Sequence, residues 1–173
     1  MNSRKIVLAV FAGCVLLSSC RCQRNSERLD SADENRRVVR RVVDEAWNSG
    51  NVAVIDELLS PDYVLHIPSR EEGVDREGYR VAINMYRAAL SEFRLAIDEM
   101  IVNEDRVITR WTISGTHRGP YMGLTPTDKP ITLAGISIRR IEGGKIAEEW
   151  VASDMLGLMQ QMGAVPVPGQ GGQ

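Results

Sequence analysis

Residues 131–152 read Ile-Thr-Leu-Ala-Gly-Ile-Ser-Ile-Arg-Arg-Ile-Glu-Gly-Gly-Lys-Ile-Ala-Glu-Glu-Trp-Val-Ala. Ile131 to Ile141 is a run rich in β-branched residues and reads as a strand. Glu142-Gly143-Gly144 supplies a turn, and Lys145 to Ala152 reads as the returning strand. Working back, Val107, Thr109, Trp111 and Ile113 share one face of an earlier strand, and Ile108, Arg110 and Thr112 share the other. Asn103-Glu104-Asp105 makes the turn before it. Phe93, Leu95 and Ile97 alternate in the preceding strand, then Met100 and Val102 continue out of phase. That change of parity predicts a bulge near Asp98-Glu99. Arg118 to Pro130, rich in Gly and Pro, is a long loop.

Ahead of these strands the period is helical. Ser31 with Glu34 fits a capping box. Val38, Val39, Val42, Val43, Ala46 and Trp47 then form one apolar stripe, which Gly50 ends. Asn51 is expected to cap a second helix, with Val54, Ile55, Leu58 and Leu59 inward and Ser60-Pro61 as its stop. Tyr63, Leu65 and Ile67 alternate as a short strand, with Val64 and His66 on the opposite face. Asp75 caps a third helix striped by Tyr79, Ala82, Ile83, Tyr86 and Leu90, and Asp154 a short last one. Helices followed by long antiparallel strands give an α+β domain. A curved antiparallel sheet with helices on its concave side encloses a pocket, and a bulge supplies the curvature.

Outside this domain the chain changes character. Arg4 and Lys5 precede an apolar run from Ile6 to Leu17, too short to span a bilayer, where about 20 residues are needed. Leu17-Ser18-Ser19-Cys20 then resembles the lipobox of bacterial lipoproteins. The resemblance implies cleavage before Cys20, lipid on its sulfur, and a protein tethered at the cell envelope. The organisation expected is a leader over residues 1–19, a lipidated cysteine and tether over 20–30, the domain over 31–163, and a disordered tail over 164–173. Cys14, Cys20 and Cys22 all fall before the domain. The domain therefore has no internal disulfide, thiolate nucleophile or cysteine metal site. A formal net charge of −2 gives no electrostatic reason to expect nucleic acid. Two histidines, His66 and His117, lie far apart without ligand spacing, so no metal is expected.

One succession of motifs carries a family resemblance. It runs Asp62-Tyr63-Val64-Leu65-His66, Gly115-Thr116-His117-Arg118-Gly119, Gly123-Leu124-Thr125-Pro126-Thr127-Asp128, Gly144-Lys145-Ile146, Glu148-Glu149-Trp150, Asp154 and Gln160-Gln161-Met162-Gly163. It resembles the SnoaL-like polyketide cyclases, also called ester cyclases. The resemblance implies a nuclear-transport-factor-two-like cone with an internal cavity, and a fold that commonly dimerises through its open sheet face. It also implies cofactor-free ring closure by aldol condensation, with an aspartate on the last long strand as acid/base and a histidine two residues before it. Here the sequence departs from the pattern: Glu149 stands at the histidine position and Val151 at the aspartate position. Valine cannot move a proton.

Glu149 is the candidate catalytic base, because residues two apart on a strand share a face and it faces where the aspartate would. In an apolar cavity desolvation would raise its pKa. His66 is the candidate assistant. Tyr63, Tyr86, Trp111 and Val151 are candidate lining for a small hydrophobic ligand, and Arg110 is expected to bind an acidic group or pair with Glu149. His117 and Asp154 read as structural. Two functions remain open: an enzyme acting on a small hydrophobic carbonyl compound, and a lipid-anchored module that only binds or dimerises.

Overall fold

The computed structural model describes residues 29–166. The expected leader, the Cys20 lipidation site, Cys22 and residues 167–173 of the tail lie outside that range. Helix α1 covers residues 29–48, and its second half, Val42–Asn48, is wound as a π-helix. The expected stripe is buried, from Val38 through Trp47. Ser31 is not its cap, because residues 29–34 are already helical. Arg87 Nη1 donates to the Trp47 and Asn48 carbonyls at 2.7 and 2.6 Å, satisfying acceptors that a helix end leaves open. Gly50, with φ +76°, takes the left-handed turn that follows.

A 3-10 turn, Val52–Val54, runs into α2, Ile55–Leu58; Asn51 makes no side-chain cap, contrary to expectation. Strand β1, Leu59–His66, begins earlier than expected and includes Ser60 and Pro61. Pro61 is tolerated there because β1 is an edge strand whose register slips between Leu59 and Val64. Helix α3, Arg76–Ala89, is capped as read: Asp75 Oδ1 accepts from the Gly78 N–H at 2.8 Å. Then come β2, Leu90–Asn103, β3, Arg106–His117, β4, Pro130–Glu142, and β5, Lys145–Ser153. Helix α4, Met155–Gln161, closes the domain, with Asp154 Oδ1 accepting from the Gly157 N–H at 2.9 Å.

The sheet order is β1-β5-β4-β3-β2. Strands β2 to β5 are antiparallel neighbours, but β1 joins β5 in parallel, so the sheet is mixed rather than wholly antiparallel. No tight hairpin links β1 to β5, and so nothing forces opposite directions. The α+β class with three N-terminal helices stands. The bulge foreseen at Asp98 is present, between Ile97 and Glu99, and a second interrupts β2 between Ser91 and Arg94. Such bulges bend a strand, and here they curl the sheet toward α1 and α3. Asn48 mends the edge beside them: its Oδ1 accepts from the Leu95 N–H at 2.8 Å and its Nδ2 donates to the Leu95 carbonyl at 2.9 Å. On β3, Val107, Thr109, Trp111 and Ile113 point inward and are buried.

Candidate functional site

The curled sheet, α1, α3 and the start of α4 enclose a cavity of about 480 Å³. Its walls are chiefly apolar, among them Trp47, Leu65, Leu95, Trp111 and Ile113. A second hollow, of about 650 Å³, lies at the far end between α1 and the β2–β3 and β4–β5 turns, and neither Glu149 nor Arg139 lines it. The buried charged groups sit on the floor of the first.

Glu149 and Arg139 are cross-strand partners on β5 and β4, 3 % and 5 % exposed. A simple count back from the Glu142–Lys145 turn would set Arg139 opposite Glu148. A bulge between Arg140 and Ile141 shifts the count by one and brings Glu149 inward instead. Arg139 Nη2 lies 2.7 Å from Glu149 Oε1, and the Tyr63 hydroxyl donates to Oε2 at 3.1 Å. Arg139 Nη1 donates to Thr109 Oγ1 at 2.8 Å. Trp111 Nε1 donates to Ser137 Oγ at 3.0 Å, and Trp47 Nε1 to the Tyr79 hydroxyl at 2.8 Å. Glu149 is therefore one half of a buried ion pair, and its partner is Arg139 rather than the expected Arg110.

Burial opposes the Arg139 charge, yet Glu149, with Tyr79 and Tyr63, holds the guanidinium above its ordinary range. Burial, then the negative charge of Glu149, pushes the Tyr63 and Tyr79 phenols up. Both remain neutral hydroxyls at any physiological pH. The floor thus offers one carboxylate acceptor, one fixed cation and one neutral hydroxyl, that of Tyr79, under an apolar roof, while the Tyr63 proton is engaged by Glu149.

The residues singled out from sequence divide into two groups. Glu149, Val151, Tyr86 and Trp111 line the cavity, and Tyr63 stands behind Glu149. His66 and Arg110 do not line it. His66 is on the outer face of β1, as its parity required, stacked on Trp150 at 5.0 Å with Nε2 3.6 Å from Glu148 Oε1. Arg110 is on the outer face of β3, with Asp98 at 3.3 Å and Glu99 at 3.6 Å, so it cannot pair with Glu149. His117 is wholly buried, and its Nδ1 lies 3.1 Å from Thr127 Oγ1, where it organises the following loop. Arg139, Ser137 and Tyr79 line the cavity and were missed as site residues. Among the described residues no group of three His, Cys, Asp or Glu side chains is arranged to hold a metal.

Residues 37–162 match the family model of SnoaL-like polyketide cyclases. Among solved structures, AclR of Streptomyces galilaeus, assigned as a hydroxylase, superposes with a TM-score of 0.72 at 27 % identity, covering 80 % of this chain and 87 % of its own. TsrD of Streptomyces laurentii gives 0.68 at 30 %, covering 77 % and 97 %. IdmH of Streptomyces antibioticus, assigned as a polyketide cyclase, gives 0.66 at 28 %, covering 75 % and 98 %. No curated protein sequence matches the chain.

Proposed function

Because the chain belongs to the SnoaL-like polyketide cyclase family, we propose that its cone takes up a small hydrophobic carbonyl compound and moves a proton on it, in a cyclisation or isomerisation without a cofactor. The observation that carries this is Glu149, buried at the polar end of an apolar cavity and held in place by Arg139 and Tyr63. Glu149 takes a proton from the carbon beside the carbonyl, and the electron pair moves onto the carbonyl oxygen as an enolate. Before that step the Glu149–Arg139 pair is neutral. After it Glu149 is neutral, and the Arg139 charge is uncompensated just as the ligand becomes an anion, with Tyr79 as a further donor. The proton then returns at another carbon, giving an isomer, or the enolate carbon attacks a second carbonyl of the same molecule, giving a ring.

Val151 favours a second reading. A hydrocarbon lines the cavity where the family places its aspartate, and both Glu149 oxygens are engaged. The domain would then hold its ligand unchanged. Deuterium exchange into the methyl group of 2-acetylnaphthalene, followed by proton NMR in D₂O, separates the two. Catalysed exchange that falls by about 10²–10⁴ in Glu149→Gln, the usual worth of a general base, supports the enzyme. Binding without exchange leaves the holder, and no binding removes both.

We further propose that the domain works at the cell envelope, anchored through lipid on Cys20, and pairs with a second copy through the outer sheet face. Labelled palmitate should enter the wild-type chain and not Cys20→Ser; equal uptake by the variant rejects the anchor.

A further inference from the structure

The cavity has a second polar end, distinct from the floor around Glu149. Tyr86 faces it from α3, half-buried. The hydroxyl of Tyr121, itself 2 % exposed, donates to the Tyr86 hydroxyl at 3.0 Å. Tyr86 in turn points its proton at the Met155 sulfur, 3.9 Å away. A thioether is a weak acceptor, so this proton is available to any better one entering the cavity. Donation from Tyr121 polarises the Tyr86 O–H and strengthens it as a donor. Burial pushes both phenols up, so both stay protonated donors. The loop is shaped to deliver Tyr121: its N–H and carbonyl pair with Leu124 at 3.2 and 2.8 Å around a turn whose central residues, Met122 and Gly123, have φ of 46° and 83°.

The spacing of the two ends follows from the helix. Tyr79 and Tyr86 are seven residues apart on α3, so they share a face about two turns, roughly 10 Å, apart. The Tyr79 ring meets that of Tyr63 at 5.6 Å, beside Glu149. The rest of the lining is chiefly apolar, with Met85, Leu95 and Trp111.

We propose that Tyr86, backed by Tyr121, is a second oxygen-binding pole, and that the ligand is a flat apolar molecule carrying an oxygen acceptor at each end. This rests on the reading that the cone holds an apolar carbonyl compound, and it narrows the class. One ligand oxygen meets the Arg139 end. The other takes the Tyr86 proton from Met155, and Tyr121 acts as a positioning residue behind it.

Three probes of one ring system test it: 2,6-diacetylnaphthalene, 2-acetylnaphthalene and naphthalene, followed by quenching of the cavity tryptophans Trp47 and Trp111. The expected result is about tenfold tighter binding of the diketone than of the monoketone, the worth of one good hydrogen bond. Tyr86→Phe should remove most of that preference, and Tyr121→Phe about a tenth to a third of it on a logarithmic scale. Naphthalene should bind all three proteins alike, which also checks that the variants are folded. Unchanged diketone binding by Tyr86→Phe overturns the second pole alone. An equal loss for naphthalene overturns it too, since the hydroxyl would then act only through cavity shape. Failure of the wild type to bind any probe overturns both the pole and the carbonyl-compound reading beneath it.

Discussion

The Glu149–Arg139 pair bears on both the proposed chemistry and the stability of the site. Two opposite charges removed from water depend on each other, and removal of one strands the other at a cost of about 3–5 kcal/mol. Glu149→Met and Arg139→Met should each lose stability on that scale in urea unfolding. The double Met variant should lose less than either single, because hydrocarbons of similar size can fill the space. Strictly additive losses would mean that the two groups do not act as a pair. Glu149 was legible from sequence because it shares a strand face with Val151. Arg139 was not, for two physical reasons. The middle of β4 reads Ile136-Ser137-Ile138-Arg139, in which the isoleucines mark the opposite face as the inner one, and the bulge that sets Arg139 opposite Glu149 leaves no composition signal. His66 and Arg110 were named for what their side chains can do, although their strand parity already placed them on the outer face.

At the scale of elements, three helices are tied together by exposed charge. Arg41 on α1 meets Glu45 at 2.7 Å and Glu57 on α2 at 2.6 Å. Asp56 on α2 meets Arg80 at 2.7 Å and Arg76 at 3.2 Å, both on α3. Hydrogen bonds from Arg41 hold Glu45 and Glu57 below their ordinary value of 4.5, and the bond from Arg80 holds Asp56 below 3.8. Depressed folded-state values mean that the stabilisation is fully present above those ordinary values and is lost as pH falls through the lowered ones. The melting temperature should therefore respond to these groups only below about pH 4.5. Asp56→Asn with Glu57→Gln should lose less on acidification than the wild type, and raised salt should narrow the gap. A gap of equal size between the two proteins at pH 6 and pH 3 would contradict this. The elements themselves were largely readable, since stripes of period 3.6 and period 2 decide burial directly. What escaped was register and direction: the parallel seat of β1, the π-winding of Val42–Asn48 and the start of β1 at Leu59 arise from contacts between distant segments, which no local pattern records.

The whole molecule turns an unusual face to solvent. Along the middle of β4 the ordinary arrangement is reversed, with Ser137 and Arg139 buried inside while Ile136 and Ile138 stand outside at 50 % and 40 % exposure. Ile101 on β2 adds a third outward side chain at 51 %. The inner polar pair serves the cavity. Among the described residues the outer isoleucines keep much of their surface open, and a contiguous apolar patch on a sheet face marks an association surface. Charges around it alternate in sign, with Arg110 against Asp98 and Glu99, and Arg140 against Glu142 and Glu148. A two-fold axis through the patch can match such a rim to itself, as an isologous dimer requires. Sedimentation of the domain at micromolar concentration should therefore give twice the monomer mass. Ile136→Lys with Ile138→Lys should return it to one copy while leaving the melting temperature within a few degrees, since neither side chain supports the core. A wild type that sediments as a monomer at every concentration would remove the second copy as the occupant of this face.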